Sequence, residues 1–326
     1  MKAAFYSKNG EAREVLSVAV LPTPTAGAGE VRVKLAVSGV NPSDVKSRRE
    51  RPVPGGLCVP HSDGAGVIDR VGEGVSPSRI GERVWIWNGQ WQRPLGTAAE
   101  YIALPESQAV TLPASTDFAA GACLGIPMLT AFRAVQLLGG ISGKTVAVIG
   151  ASSAVGYYAA QLAAIGGARV IGTVGSPEKA ALAKRAGVAE TVDYKRVPVA
   201  ARLKELTGGC GVDALIDMDF SSTSKLLAEG AVARHGSVAS YGSNDPGDIP
   251  IPFRVLLRAS ISLHFFLVYD LTPTDRQIAI ERVTELLAQG RLSHAIGARF
   301  KLDDIVAAHE AVEGGKVIGK VLVELP

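Results

Sequence analysis

No stretch of this 326-residue chain approaches the roughly 18 consecutive apolar residues of a membrane span. The start, "MKAAFYSKNG", has no apolar core of the kind a secretion signal needs. Lysine and arginine total 34 against 31 acidic residues, spread along the chain, so the basic tract that nucleic acid requires is missing. Cysteine is scarce: Cys58, Cys123 and Cys210 are odd in number and far apart. That fits the reduced thiols of a cytoplasmic protein and excludes a zinc lobe built from four closely spaced cysteines. Internal repeats, low-complexity segments and linkers rich in proline and serine are also missing. What remains is a chain 47% hydrophobic, enough for a sizeable core, and long enough for two domains.

The first part reads as β-rich. "EVRVKLAVSGV" alternates as a half-buried strand does; "DGAGVIDRVGEGV", "GERVWIW" and "TAAEYIAL" follow, with turn signals every dozen or so residues. This pattern predicts a small barrel. The character changes after about Pro127. "MLTAFRAVQLLGG" has helical spacing and stops at a glycine pair. From Lys144, strands "TVAVIG", "ARVIGTV", "ETVDY", "VDALIDM", "GSVASYG" and "ISLHFFLVYD" alternate with helices "AVGYYAAQLAAIGG", "SPEKAALAKRAG", "VAARLKELTG" and "SSTSKLLAEGAVARHG". Such alternation predicts an α/β domain with a doubly wound parallel sheet. A long helix, "DRQIAIERVTELLAQG", then a helix "KLDDIVAAHEAVEGG" and a strand "KVIGKVLVEL" close the chain, and this tail is expected to return to the first domain. The expected division is 1–126 with 270–326, and 127–269.

The stretch "VAVIGASSAVGYYAAQLA" occupies the place of a dinucleotide fingerprint, yet its three glycine positions hold Ala151, Ser153 and Gly156. In the fingerprint the first glycine makes the tight turn, the second admits the pyrophosphate and the third lets helix and strand pack closely. Gly156 keeps the third role, and Gly150 eases the turn. Ser153 is tolerable if its φ is negative, and its hydroxyl is a candidate phosphate donor. The helix start still offers N–H groups and a positive dipole end, so Ser152, Ser153, Ala154, Val155 and Gly156 form a candidate cradle. NAD sites place an acid about 20 residues further on. Here that region reads "VIGTVGSPEK", with no acid before Glu178. Ser176, Lys179 and, after the third strand, Tyr194 suit a 2′-phosphate instead, which favours NADPH. The alternatives are a plain strand–turn–helix crossover and, for Lys179, a solvated lysine.

The chain resembles the medium-chain dehydrogenase/reductase superfamily, in its zinc-free quinone oxidoreductase branch. The resemblance runs over nearly the whole chain and is carried by "GEVRVKLAVSGVNPSD", "DGAGVIDRVGEGV", "GERVW…GTAAEY", "GIPMLTAFRAV", "VIGASSAVG", "VIGTVGSPEKAALAKRAG" and "GKVLVEL". It implies a GroES-like β-barrel domain, a Rossmann domain, an active site in the cleft between them, NADPH as cofactor and a homodimer through the edge strand "ISLHFFLV". The family fingerprint usually reads A-x-G-G-V-G, so this chain departs from it at both central glycines. Zinc-containing relatives place a cysteine where Asn41 stands and a His-Glu pair where Ser62 and Asp63 stand. His61 lies one residue too early, so no metal site is expected; a loop or cap role is expected for His61.

The resemblance also implies the chemistry. The cofactor carries the hydride, and the reduced quinone oxygen needs a donor. Asn41 matches the family's cleft asparagine; its plain alternative is a turn cap before Pro42. Lys46 stands where the family often has a tyrosine, as a donor or a surface lysine, and Arg48 matches the family. Trp87 and Trp91 suit the wall of a quinone pocket, while Trp85 and Trp87 share a strand face that also fits barrel core. Thr130, Tyr241, Gly242 and Ser243 match positions near the nicotinamide, as do Phe266 and Val268 on the sixth strand. His235, His264, His294 and His309 are expected to be structural. Three rival readings stay open: an alkenal or enone reductase sharing the same cofactor, an NADPH-binding protein with negligible turnover, and a zinc alcohol dehydrogenase.

Overall fold

A computed structural model describes all 326 residues, apart from the side chain of Pro54. The chain divides into two compact units, Met1–Ile126 with Ile280–Pro326, and Pro127–Ala279. The sequence places the return at 270; the contacts place it later, within the helix Pro273–Ala288.

The first unit is built on the long strand Glu30–Val40, whose inward residues Val31, Val33 and Leu35 alternate as the sequence pattern requires. This strand pairs antiparallel with Asp63–Val71, Tyr101–Pro105 and Lys320–Glu324 in a seven-stranded sheet. Val31, Val33, Leu35, Ile68, Val84, Ile86, Ile102 and Leu104 form one core inside it. The tail packs into a second core. Leu302, Ile305 and Ala308 from the helical segment, with Val321 and Val323 from the last strand, meet Ala3, Ala4, Tyr6, Val40 and Cys58.

The second unit is a six-stranded parallel sheet. In spatial order its strands are Glu190–Asp193, Arg169–Val174, Thr145–Val148, Val212–Asp217, Val232–Ser240 and Ser262–Phe265. The chain runs outward on one side of Thr145–Val148 and then resumes on the other. The break in strand order falls beside the turn that follows Thr145–Val148, which is where open α/β sheets bind ligands.

Two expectations need correction here. "SSTSKLLAEGAVARHG" is not one helix: it forms short turns at Phe220–Thr223 and Lys225–Ala228, and Val232 already begins a strand. Gly230 at φ +74 ends the helical course, and a register shift between Val212 and Ala214 accommodates His235 at φ +61. The sixth strand is also shorter than expected, ending at Phe265. Phe266 lies just beyond it, and Val268 begins a short turn of 3-10 helix.

Candidate functional site

At the end of strand Thr145–Val148 the turn is held from its neighbour. Thr173 accepts the Gly150 N–H at its hydroxyl (2.9 Å) and the Ala151 N–H at its carbonyl (3.1 Å). Gly150 sits at φ +67, so the glycine that makes this turn precedes the first fingerprint position. Ser153 is the N-cap of helix Ala154–Ile165 at φ −72, a conformation any residue adopts. Its hydroxyl accepts from the Gly156 N–H at 3.0 Å and lies against the Tyr241 hydroxyl. The oxygen serves the cap as an acceptor while its O–H hydrogen remains a donor, so the cap is compatible with the expected phosphate contact at Ser153. Gly156 is required, because a Cβ there would lie 2.2 Å from the Gly150 carbonyl oxygen. With Gly156 capped, the N–H groups of Ala154 and Val155 are the helix donors left for an anion.

Tyr194 lies against Gly175 at the end of the next strand, and Ser176 and Lys179 belong to the start of the helix Pro177–Arg185 that follows it. Ser176 caps helix Pro177–Arg185 by accepting the Lys179 N–H (3.3 Å). A Cβ on Gly175 would lie 2.6 Å from the Tyr194 hydroxyl, so glycine makes room for the half-exposed phenol. The Ser176 hydroxyl also bonds Glu178 and holds that carboxyl below its ordinary range.

The loop after Ser240 packs on the loop after Asp217. Gly242 accepts the Phe220 N–H at its carbonyl (2.9 Å), and a Cβ on Gly242 would lie 2.5 Å from the Met218 carbonyl oxygen. Burial pushes the Tyr241 phenol up, and its ring stands 6.2 Å from that of Phe266. Ser243 donates to the Asp245 carbonyl (2.7 Å). Thr130 is buried in helix Leu129–Leu137, and Val268 is buried as well. Asp217 is fully enclosed, accepting from Ser240 (2.8 Å) and Thr223 (2.6 Å), and burial raises its pKa. Only its place at a strand end marks this aspartate in the sequence.

In the first unit Asn41 opens helix Pro42–Glu50, and its backbone N–H bonds the Asp44 carboxylate at 2.7 Å. Its side chain does more than cap. Nδ2 donates to Asp63 Oδ2 (2.8 Å), and Oδ1 accepts from Lys320 Nζ (2.5 Å). Lys320 also bonds Asp63 Oδ2 (2.6 Å), and Asp63 Oδ1 takes the Ile126 N–H (2.7 Å). This buried network requires two glycines. A Cβ on Gly39 would lie 2.8 Å from Lys320 Cε, and one on Gly125 would lie 2.3 Å from Asp63 Oδ1. Asp44, Asp63 and Lys320 were missed as site residues.

Asp44 is pushed up to about 7, by burial first and by neighbouring Asp63 second, against the opposite pull of Lys320 and of hydrogen bonds from Asn41. The folded protein therefore keeps a proton that the unfolded chain releases near pH 3.8. The resulting stabilisation is complete below that pH and is lost as pH rises toward 7, by at most about 1.4 kcal/mol per pH unit. Asp44→Asn retains an acceptor for Asn41 and is expected to remove this slope. Unfolding midpoints from pH 4 to 7 check it; an unchanged slope rules the assignment out.

The other first-unit candidates separate. Lys46 is exposed on the helix that Asn41 opens. Arg48, on the same helix, has no exposed surface, and its guanidinium pairs with Glu313. This ion pair ties the helix to the tail of the chain. Trp85 is barrel core. Trp87 lies past the end of its strand, and its indole donates to the Ser107 carbonyl (3.1 Å). Trp91 is half-buried with the Arg51 guanidinium 5.5 Å over its ring.

His61 is not a cap. It is fully buried and stacked on His309, with ring centroids 5.1 Å apart. Thr97 donates to the Asp63 carbonyl (2.6 Å), so Ser38 donates to Thr97 and must accept from His61 Nδ1–H. His61 Nε2 then accepts from His309 Nε2 (3.0 Å). Both nitrogens of His61 are thus committed within the protein. Among the described residues, no group of three or more His, Cys, Asp and Glu is placed to hold a metal ion, and no helix is long and apolar enough to cross a membrane.

Two family profiles match the chain. The alcohol dehydrogenase GroES-like domain covers residues 27–114, and the family described as zinc-binding dehydrogenase covers residues 154–285. A quinone oxidoreductase from Rattus norvegicus is 31% identical over 97% of this chain and 94% of its own length. Among solved structures, an NAD-dependent alcohol dehydrogenase matches at TM-score 0.89 with 29% identity, covering 100% of both chains. A mycobacterial protein complexed with NADPH matches at TM-score 0.86 with 28% identity, covering 99% of both chains. By sequence and by fold, this chain is an oxidoreductase that belongs to the quinone oxidoreductase branch of the medium-chain dehydrogenase/reductase superfamily.

Proposed function

We propose that the protein reduces a quinone with NADPH and without a metal ion: NADPH + H⁺ + quinone → NADP⁺ + hydroquinone. When bound, the nicotinamide supplies the hydride. The reading of the cofactor rests on Tyr194 beside Gly175 with Ser176 and Lys179 opening the helix that follows, one cation and two hydroxyls in the segment suited to a 2′-phosphate. The fingerprint turn fits the pyrophosphate: Gly156 holds the helix close to the turn, and Ala154 and Val155, with Ser152 beside them, present N–H groups at its positive end. Thr130, Tyr241, Gly242, Ser243, Phe266 and Val268 orient the nicotinamide end. Asn41 donates to the quinone oxygen that gains charge, and Trp87 and Trp91 offer a flat wall. The metal-free reading is supported by Lys320, whose ammonium stands between Asn41 and Asp63 where zinc-containing relatives use two of their positions.

Cofactor oxidation by the purified protein tests this, with NADPH and NADH against quinones and α,β-unsaturated ketones. We expect quinone turnover and a kcat/KM for NADPH about tenfold or more above NADH, a preference that Lys179→Ala erases through a loss on the order of 1.4 kcal/mol. Equal rates with NADH would overturn the cofactor assignment, and turnover of the enones alone would make the protein a carbon–carbon double-bond reductase.

We also read the outer strand Ser262–Phe265 as the surface of a homodimer. It is last in the sheet order and leaves one edge unpaired. Phe265 is 61% exposed, and Phe253 and Leu257 on the helix Phe253–Ala259 are 65% and 66% exposed. Sedimentation is expected to give a dimer for the parent and a monomer for Phe265→Asp. A dimeric Phe265→Asp would place the contact elsewhere.

A further inference from the structure

We propose that Met218 is a modification site: oxidation of its thioether to the sulfoxide weakens NADPH binding, and bound NADPH shields it. The chain has three methionines, Met1, Met128 and Met218. Met128 has no exposed surface, and Met1 lies in the first unit with its amino group on the Leu21 carbonyl (2.7 Å). Met218 is 37% exposed, in the loop that follows strand Val212–Asp217. Its sulfur lies on the fingerprint turn, since a Cβ on Gly150 would stand 2.3 Å from Sδ. Its carbonyl oxygen lies equally close to Gly242, so one residue touches both the turn and the loop after Ser240. The backbone around it is tied down. Asp217 accepts the Asp219 N–H at Oδ1 (3.2 Å) and the Tyr241 N–H at its carbonyl (3.1 Å). The Asp219 carboxylate accepts from the hydroxyls of Ser221 (2.5 Å) and Ser222 (2.8 Å), and from the Asn244 N–H (2.9 Å) and Nδ2 (3.0 Å). A loop held this way cannot back off when the side chain beside Gly150 changes.

A thioether is soft and apolar, and it packs on a glycine turn without competing for hydrogen bonds. Hydrogen peroxide changes that: CH2–S–CH3 + H2O2 → CH2–S(=O)–CH3 + H2O. One O–O bond breaks and one S–O bond forms; sulfur gives up two electrons and the peroxide leaves as water. The new oxygen is the negative end of a strong dipole, set beside the turn that an anionic pyrophosphate has to approach. It adds bulk and unfavourable charge at one place. The reaction itself yields the oxidant, because a hydroquinone returned to its quinone by dioxygen leaves hydrogen peroxide (QH2 + O2 → Q + H2O2). This source rests on the quinone reductase reading; the site rests only on NADPH at the fingerprint turn. Once NADPH is consumed, the sulfur is uncovered while peroxide is present. The thiols do not share the role. Burial pushes Cys58 and Cys123 up to about 11 and about 12, so they stay unreactive. Cys210 is exposed, but it precedes the strand Val212–Asp217 and lies at the opposite end from Met218.

The test uses added hydrogen peroxide and reads cofactor binding, so it does not depend on quinone turnover. Cys210→Ser protein is treated with peroxide, with and without saturating NADPH, which leaves methionine as the accessible sulfur. Peptide mass spectrometry is expected to find one added oxygen at Met218, forming about fivefold or more faster without NADPH. Titration should then show the NADPH Kd raised about tenfold, returning to within about twofold after treatment with the two methionine sulfoxide reductases, one for each epimer. In Met218→Leu, peroxide should leave the Kd where it stood before treatment. Met218→Gln, with a polar oxygen at similar reach, should carry the loss without any peroxide. Full oxidation of Met218 with an unchanged Kd would overturn the proposal, as would oxidation at the same rate with and without NADPH. A loss on treatment that persists in Met218→Leu would overturn it too, by placing the damage elsewhere. Untreated protein that binds no NADPH would overturn the cofactor reading and this proposal with it, a result distinguished by preceding any oxidation.

Discussion

Asp63→Leu is expected to destabilise the first unit by about 3–5 kcal/mol, and adding Lys320→Met should return most of that loss. The reason is the asymmetry of buried ion pairs. The Lys320 side chain is 3% exposed and that of Asp63 is not exposed at all. Removing one partner leaves a charge with no compensation, whereas removing both replaces the pair by apolar contacts of similar volume. Asp63 also accepts from Asn41 and from the Ile126 N–H, so the single variant orphans two further donors. The double variant keeps these two orphans and should fall short of the parent by about 1–3 kcal/mol. The measurement is direct, because all three tryptophans, Trp85, Trp87 and Trp91, lie in the first unit. Urea unfolding followed by intrinsic fluorescence therefore reports that unit. A single variant as stable as its parent, or a double variant no better than the single, would show that the pair does not carry this weight.

Gly156→Ala is expected to raise the NADPH Kd by about thirtyfold or more, roughly 2 kcal/mol, and to cost a further ~1–3 kcal/mol of stability. The added Cβ would meet the Gly150 carbonyl oxygen at 2.2 Å, its carbon at 2.9 Å and Ser153 Oγ at 2.9 Å. The first two are backbone and cannot swing aside. The helix start must lift, and the N–H groups of Ala154 and Val155 move with it. Ser153→Gly is the control. Ser153 has φ −72, so glycine gains nothing there conformationally, and as an N-cap it costs only about a few tenths of a kcal/mol. Its NADPH affinity should stay within about threefold of the parent. Affinity measured by titration decides: a silent Gly156→Ala beside a Ser153→Gly that binds tenfold tighter would mean that the serine, and not the helix packing, limits the site.

The α/β alternation and the strand Glu30–Val40 were legible because each rests on local periodicity: apolar residues every second position, or every third and fourth, between glycine punctuation. "SSTSKLLAEGAVARHG" was misread for the same reason. Its small apolar residues keep a helical rhythm past Gly230, and only pairing with the distant strand Val212–Asp217 makes Val232 extended. The fingerprint was legible in outline. Its third glycine was read as a packing residue, as its close approach to Gly150 bears out, but the cap that Ser153 makes to Gly156 beside Tyr241 was not read. The polar network at Asn41 was not legible. Lys320 and Asp63 are 257 positions apart, with no spacing to mark them as partners. The only local traces are Gly39 and Gly125, whose missing side chains make the space, and a glycine in a loop or at a strand end has many simpler explanations. Arg48 was legible only by its position, while its full burial and its pairing with Glu313 depend on a residue of the distant tail.

The last strand of the first unit, Lys320–Glu324, is inserted between Ile296–Lys301 and Glu30–Val40, and it carries the cation that Asp63 requires. A ribosome makes Asp63 first, then the whole contiguous second unit, and only afterwards Lys320. At 5–20 residues per second the interval is on the order of tens of seconds. The nucleotide-binding unit can thus be finished while the other half of the molecule still lacks two strands, a helix and a counter-charge. The nascent chain is asymmetric in time: one unit matures during synthesis, and the other closes around its buried carboxylate only when the tail arrives.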